Sequence, residues 1–235
     1  MLSRHYYSCL FSACLIMIGS AAFAQLTSPT SYLTDSNGFI VKPGKAGEEV
    51  RGSIYWNDVW CSGQVTTQQG KQFDVARMRF NILMNRVEYE LGGSTYEVNV
   101  PCQAFTLYTA GDDGTVKTTN FRNNFPPTEK QTIRSFYEVV YDGRAKILRH
   151  HKLRITEHPE PLSLVSIKRF GKVSALYLYH PVKQSVIRMN MRKSEVLAVF
   201  DDKKDILARF MSAQKIKKVL KESDLLAVCE YYDNN

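Results

Sequence analysis

The fold is decided by Ala76-Arg77-Met78-Arg79-Phe80-Asn81-Ile82, a stretch in which apolar and polar residues alternate strictly. Alternation with a period of two is typical of a strand with one buried face and one solvated face. Turns are predicted after this strand, first at Asn85-Arg86 and then at Gly92-Gly93, because glycine tolerates the positive φ angles of tight hairpin turns. We therefore expect this strand to begin a series of hairpins.

Both turns predict the same apolar face. A two-residue first turn would pair Phe80 with Leu91, and the second turn would pair Tyr89 with Tyr96. All four side chains would then point to one side of the sheet. Because two independent turns agree on one buried face, we predict an antiparallel β-meander over residues 52–109.

The rest of the chain continues this architecture and then changes its period. Further strands are predicted at 135–141, 145–155, 173–179 and 185–190, after a loop-rich stretch over 110–132. Beyond them, apolar residues recur at helical spacing and predict three short helices. The predicted fold class is therefore mainly β (α+β): an antiparallel meander over 25–190, forming an open barrel or sandwich, with a C-terminal helical segment over 191–235 packed on it.

The first residues, Met1–Ala24, have the three parts of a secretory signal peptide. Arg4 gives a positive start, an apolar run follows, and Ala22-Phe23-Ala24 is a cleavage site. The apolar run is shorter than the ~20 residues that span a bilayer, and it is too short before Cys14 for a lipidation box. We therefore expect an exported protein that begins at Gln25, is periplasmic or associated with the outer envelope, and has no later transmembrane segment.

The charge is distributed unevenly. Residues 25–140 carry 11 Lys and Arg against 12 Asp and Glu, whereas residues 141–235 carry 19 against 11. A basic half can indicate a nucleic-acid partner, but export argues against one, and the basic residues are interleaved with apolar ones as on solvated faces. We predict no nucleic-acid partner, and weak contact with anionic lipid or polysaccharide stays open.

Cleavage would leave three of the five cysteines, Cys61, Cys102 and Cys229. An exported protein folds in an oxidising compartment, where disulfides form and persist. Cys61 and Cys102 both belong to the β-rich half and are therefore the candidate pair. Separate buried thiols, which behave as small apolar groups, are the alternative.

The only two tryptophans of the chain, Trp56 and Trp60, flank Asn57 and Asp58. Such a segment can form a stacking platform for a sugar ring or another flat ligand, with hydrogen bonds from Asn57 and Asp58. The alternative is an aromatic plug that closes one end of the β domain, since tryptophan buries a large apolar surface.

A second candidate site involves Glu138. A two-residue turn at Asp142-Gly143 would place Glu138 opposite Ile147 on an apolar face, with Arg149 and His151 on the same face. A carboxylate in that position either pairs with the arginine or has its pKa raised by desolvation, and such groups concentrate at functional sites. The alternative is an ordinary salt bridge at a sheet edge.

No metal or cofactor site is predicted. The mature histidines, His150, His151, His158 and His180, lack the spacing of a zinc site. The rings of His150 and His151 would also point to opposite faces of one strand. The chain contains no nucleophile elbow, phosphate-binding loop or dinucleotide fingerprint, and no catalytic residue is assigned.

Several stretches together resemble one family. They are Tyr55–Val65, the arginine-containing meander Met78–Asn81, Phe136–Gly143 and the helical tail Ser194–Asn235. They are similar to a family of uncharacterised exported proteins of Bacteroidota with no established activity. The chain departs from that family at His180–Lys183, where many relatives have a Gly-containing turn. The resemblance implies export and carries over no catalytic residue.

The sequence therefore predicts an exported envelope protein that acts as a non-enzymatic binding or scaffolding module for another envelope component. One alternative is an envelope hydrolase that uses Glu138 or an acid near Trp56 and Trp60. Another is a carrier that holds a small apolar ligand between the sheet and the helices.

Overall fold

The computed structural model describes residues 27–29, 49–111, 113–159 and 166–235. The predicted signal peptide, Met1–Ala24, lies outside these residues. Among the described residues, no helix combines the length and the apolar character needed to cross a membrane.

In the described residues, twelve strands form one open sheet, which three helices follow. The strands are β1 Thr27–Pro29, β2 Glu49–Arg51, β3 Cys61–Thr67, β4 Gln72–Asn81, β5 Arg86–Leu91, β6 Ser94–Val98, β7 Cys102–Ala110, β8 Val116–Arg122, β9 Tyr137–Asp142, β10 Lys146–Pro159, β11 Ser166–His180 and β12 Ser185–Arg188. The helices are α1 Lys193–Val199, α2 Lys204–Ala213 and α3 Glu222–Asn234, with a 3-10 turn at Asp201–Lys203.

The strand order is β1-β6-β5-β4-β3-β7-β8-β9-β10-β11-β12, and β2 pairs with β11. All pairs of the described strands are antiparallel except β2 with β11. Among the described strands, the end strands β1 and β12 do not pair with each other, so the sheet is open. The predicted mainly antiparallel β fold with C-terminal helices is therefore confirmed.

The second predicted turn is confirmed and the register of the first is wrong. Tyr89 pairs with Tyr96 across Gly92-Gly93, whose φ angles are 61° and 81°. At the first turn, however, Phe80 pairs with Val87 instead of Leu91. The shift is by an even number of residues, so the apolar side chains still share one face.

Local hydrogen bonding explains the longer first turn. The Asn81 side-chain oxygen accepts the Met84 N–H at 3.0 Å, which begins the turn before the predicted position. Asn85 ends the turn with a φ of 54°, a conformation that asparagine adopts more readily than most residues. These two side chains therefore set the length of the connection.

A β-bulge interrupts the alternation of β4. Cys61 of β3 pairs with Met78, but Gly63 pairs with Val75, so β4 has one extra residue at Ala76 and Arg77. Both of these residues are exposed. Strict alternation had predicted Ala76 on the buried face, and the bulge turns Val75 inward instead.

A cluster of phenylalanines fills the core between β3, β4, β7 and β8. Phe105 and Phe121 stack with their ring centroids 4.6 Å apart, and Phe80 and Phe136 pack against them. Aromatic pairs in such geometries add to the stabilisation that burial itself provides. The core residues are Cys61, Val65, Met78, Phe80, Ile82, Val87, Phe105, Leu107, Phe121 and Phe136.

A second core joins the helices to the other half of the sheet. Its sheet residues include Ala145, Ile147 and Leu178, and its helical residues come from all three helices. Helices this short are marginal alone and gain stability from tertiary packing. Asp233 of α3 adds a polar anchor, because its carboxylate accepts the Tyr141 hydroxyl and the Ala145 N–H, each at 2.9 Å.

Gly63→Ala is expected to destabilise the sheet by roughly 1–3 kcal/mol through overpacking. A Cβ at this position would overlap the Thr106 carbonyl oxygen and lie 2.6 Å from the Met78 sulfur. The matched control is Gly171→Ala, whose Cβ would find its nearest heavy atom at 3.7 Å. The free energy of unfolding in urea measures both changes, and equal stability of the two variants would contradict the packing described here.

Candidate functional site

The two tryptophans do not form one stacking platform. Trp56 meets Phe121 and His151 edge-on, with ring centroids 5.4 and 6.3 Å apart. Trp60 stacks instead on the Arg79 guanidinium, which lies 4.0 Å from the Trp60 ring centroid and 3.6 Å from that of Tyr55. Trp60 therefore packs on an arginine. Of the two tryptophans, only Trp56 contacts the second candidate site, through His151.

The polar residues between the tryptophans tie their segment to the sheet. Asn57 donates a hydrogen bond from Nδ2 to the Cys61 sulfur at 3.4 Å. Asp58 forms an ion pair with Lys172 of β11 at 2.9 Å, and both side chains are substantially exposed. Exposed pairs of this kind contribute little to stability, so Asp58 remains accessible to a ligand while Asn57 is engaged.

Glu138 lies at the centre of a charged network on β9 and β10. Its Oε1 accepts the Arg149 Nη1–H at 2.9 Å, and its Oε2 is 2.6 Å from His151 Nε2. Arg149 also donates from Nη2 to Glu222 of α3 at 2.5 Å. The structure thus brings Glu138, Arg149 and His151 together as predicted, with Trp56 beside them.

The register around Glu138 differs from the prediction. Glu138 pairs with Arg149 instead of Ile147, because the β9–β10 ladder shifts between Ile147 and Leu148. The two strands also lie inside the sheet, between β8 and β11, and not at an edge. The ion pair is therefore part of the interior of the sheet, where it links the sheet to the start of α3.

The electrostatics of Glu138 favour a fixed negative charge. Burial by itself would raise the pKa of this carboxyl, but the hydrogen bond from His151 and the charge of Arg149 together hold the pKa below its usual value of 4.5. A proton donor in hydrolysis needs a raised pKa. The geometry thus suits a structural or binding role better than a general acid.

A buried carboxylate that the sequence did not single out is Glu88, which is 3% exposed. It accepts the Asn81 Nδ2–H at 2.8 Å and the Tyr55 hydroxyl at 3.1 Å, and it lies 3.3 Å from Arg79 Nη2. Arg79 faces Glu88 across the β4–β5 ladder. The observed length of the β4–β5 turn places Arg79 opposite Glu88. The two-residue turn predicted from the sequence does not, so the sequence analysis missed this pair.

Among the described residues, one cluster has the spacing to hold a metal ion: His180, Asp201 and Asp202. His180 Nδ1 accepts the backbone N–H groups of Val182 and Lys183 at 3.2 Å each. The neutral ring must then carry its proton on Nε2, which faces Asp202 at 3.3 Å. With both ring nitrogens engaged in hydrogen bonds, His180 is a poor metal ligand.

The proposed disulfide is wrong. Cys61, Cys102 and Cys229 are all free thiols. Cys102 pairs with Thr67 of β3, six residues from Cys61, and at ~3.3 Å per residue this places the two cysteines about 20 Å apart along the strand. A disulfide requires Cα atoms within roughly 7 Å.

A polar groove of about 670 Å³ opens beside the β6–β7 and β8–β9 connections. Side-chain carboxamides are frequent in its lining and come from Gln68, Asn85, Asn99, Asn123 and Asn124. Asn85 connects the β4–β5 turn to the β8–β9 connection at this groove. Its side chain accepts the Phe136 N–H at 3.0 Å and donates to the Arg134 carbonyl at 2.9 Å. Sequence analysis did not predict this groove.

Asn123, in the lining of the groove, has an unsatisfied buried acceptor. The residue is 7% exposed, and its Nδ2 donates to the Cys102 carbonyl at 2.8 Å. Its Oδ1 is buried and has no hydrogen-bond partner among the described residues. Exchanging the two atoms would place oxygen against the carbonyl, so the assignment is chemically fixed. An unsatisfied buried acceptor costs about 1–3 kcal/mol, and the hydroxyls of Thr119 and Tyr137 are buried without a partner in the same way among the described residues.

No family model, curated protein sequence or solved structure matches this chain. The assignment of the site therefore depends on its own geometry.

Glu138→Gln is expected to lower the free energy of unfolding by roughly 1–3 kcal/mol at pH 7, because Arg149 and His151 lose a charged acceptor. The pKa of Glu138 is lowered on folding, so its ion pair stabilises the protein above the usual pKa and loses this effect as the pH falls through the folded-state pKa. The difference between wild type and variant should thus shrink below about pH 4.

Urea unfolding at several pH values measures this difference. Glu230→Gln, a substitution at an exposed carboxylate of α3, is the control. A Glu138→Gln difference that grew in acid would contradict the proposed charge state.

Alkylation is expected to label Cys61, Cys102 and Cys229 in unfolded protein that has not been reduced, since all three are free. In the folded protein the reaction should be slow at neutral pH, because burial raises the pKa of the Cys102 thiol to about 12. Mass spectrometry after iodoacetamide treatment, with and without urea, measures the labelling. If Cys61 and Cys102 were labelled only after reduction, the two cysteines would form a disulfide and the assignment of free thiols would be wrong.

Proposed function

We propose that this protein is an exported, non-enzymatic binding module of the cell envelope, and that the polar groove holds its ligand. The observation that carries the proposal is the concentration of side-chain carboxamides in the lining of this groove, among them Asn123, whose buried Oδ1 has no hydrogen-bond partner among the described residues. The ligand class is a polyhydroxylated molecule such as an envelope glycan.

The composition of the groove supports this ligand class. Carboxamides both donate and accept hydrogen bonds, as sugar hydroxyls do. Apolar side chains of Val98, Val100 and Pro101 also line the groove and offer contacts for the C–H faces of a sugar ring. The charged residues Arg86 and Glu97 form an ion pair with each other, which favours a ligand of low net charge.

Export and a non-enzymatic role have separate support. The charge and hydropathy pattern of Met1–Ala24 is typical of a signal peptide. The best candidate for a catalytic acid, Glu138, has a lowered pKa and both carboxylate oxygens engaged. The protein would thus bind or scaffold another envelope component, with no nucleic-acid partner and with weak attraction of its basic half to anionic surfaces.

Screening the chain from Gln25 to Asn235 against an array of neutral and acidic oligosaccharides tests the proposal. We expect binding to neutral glycans, with affinity reduced roughly tenfold or more in Asn123→Leu, the loss expected for one buried hydrogen bond. Asn120→Leu is the matched control, because Asn120 is an exposed carboxamide on β8 outside the groove. Calorimetry measures the affinities, and urea unfolding verifies that both variants fold.

Three outcomes would overturn the proposal. If no glycan on the array bound, the proposed ligand class would be wrong. If Asn123→Leu bound as tightly as wild type, the proposed site would be wrong. Shortening of a bound oligosaccharide that disappears in Glu138→Gln would replace the binding module with the hydrolase alternative.

A further inference from the structure

The strands β4 and β5 separate on one side of the bulge in β4. Their ladder includes only the pairs from Met78–Tyr89 to Asn81–Arg86. On the other side of Ala76 and Arg77, β4 continues to Gln72 and pairs only with β3 among the described strands. A bulge bends its strand and increases the local twist, which explains why the two strands part at this point.

The separation leaves an apolar groove of about 490 Å³. One wall is β4, where Phe73 and Val75 are half-buried and Gln72 and Asp74 are exposed. The opposite wall includes Leu91 of β5, which is 63% exposed. Its lining is apolar, in contrast to the polar groove, although Val98 borders both.

The backbone of this groove, as well as its side chains, indicates which kind of ligand it can bind. Residues 72–77 of β4 present one edge to the groove, and the described residues provide no ladder partner for it. An unpaired strand edge is a template for another strand, and alternating inward side chains provide pockets for alternate residues of that strand. A small apolar molecule would fill the space but leave the edge unpaired.

We infer that this groove takes an extended apolar peptide segment of a partner protein, which adds to the edge of β4 as a new strand. Phe73, Val75 and Leu91 would contact every second side chain of the segment. The ion pair between Arg77 of β4 and Glu90 of β5, 2.7 Å long and partly exposed, joins the two strands beside the groove. Such exposed pairs contribute little, so the segment could displace it. This site is separate in its ligand chemistry from the proposed glycan site.

The test uses a fluorescent peptide of alternating valine and threonine with lysine at both ends, added to the chain from Gln25 to Asn235. Two further peptides carry N-methyl groups on the amides of one edge or of the other. We expect the unmethylated peptide to bind and at least one methylated peptide to bind roughly tenfold more weakly or worse, because N-methylation removes ladder hydrogen bonds. Hydrogen exchange at residues 72–77 should slow when the unmethylated peptide binds.

Protein variants locate the peptide. Leu91→Lys should abolish binding, and Val116→Lys on β8 should leave it unchanged, since the two side chains are 63% and 68% exposed and neither substitution disturbs a core. Equal binding of all three peptides would overturn the strand-addition model in favour of an apolar-ligand site. Absence of peptide binding, or unchanged binding by Leu91→Lys, would also overturn it. None of these results depends on glycan binding, so the two proposals fail independently.

Discussion

The buried carboxylate of Glu88 is the constraint on which much of the β-meander depends. A buried charge is tolerated only when it is paired and hydrogen-bonded, and Glu88 obtains this from Arg79, Asn81 and Tyr55. Arg79 and Asn81 reach it only in the observed β4–β5 register. Tyr55 reaches it only if the segment before β3 lies on the sheet. That segment then places Trp56 against Phe121 and beside the Glu138 network.

The bulge in β4 has a second, separate consequence. It turns Val75 inward and keeps the apolar core continuous on both sides of an irregular position. It also ends the pairing of β4 with β5, which creates the apolar groove and its unpaired edge. The polar groove arises differently, from the long β8–β9 connection that Asn85 ties to the β4–β5 turn. Two grooves of opposite chemistry therefore border one hairpin.

Part of the Glu138 site could be predicted from the sequence. Alternation along β9 and β10 placed Glu138, Arg149 and His151 on one face, and that placement survives the shifted register because the shift preserves the face. Glu222 could not be predicted as a partner of Arg149, since its position depends on how α3 docks on the sheet. The disulfide prediction failed for a similar reason, because the pairing of β7 with β3 decides the distance between the two cysteines. Cys61 begins β3, and Cys102 pairs with Thr67 at the other end of that strand.

The sequence by itself determined which residues face the core wherever a strand is regular, and where the chain changes from strands to helices, because both follow from local periodicity. It also determined the Gly92-Gly93 hairpin, whose φ angles glycine adopts without strain. Only the tertiary structure decided the position of the bulge, the length of the first turn and the isolation of Asn123 Oδ1. The bulge and the isolation of Asn123 Oδ1 depend on whether distant groups fill a core or satisfy a buried polar atom. The length of the first turn depends on hydrogen bonds of the Asn81 and Asn85 side chains, which the alternation of apolar and polar residues does not encode.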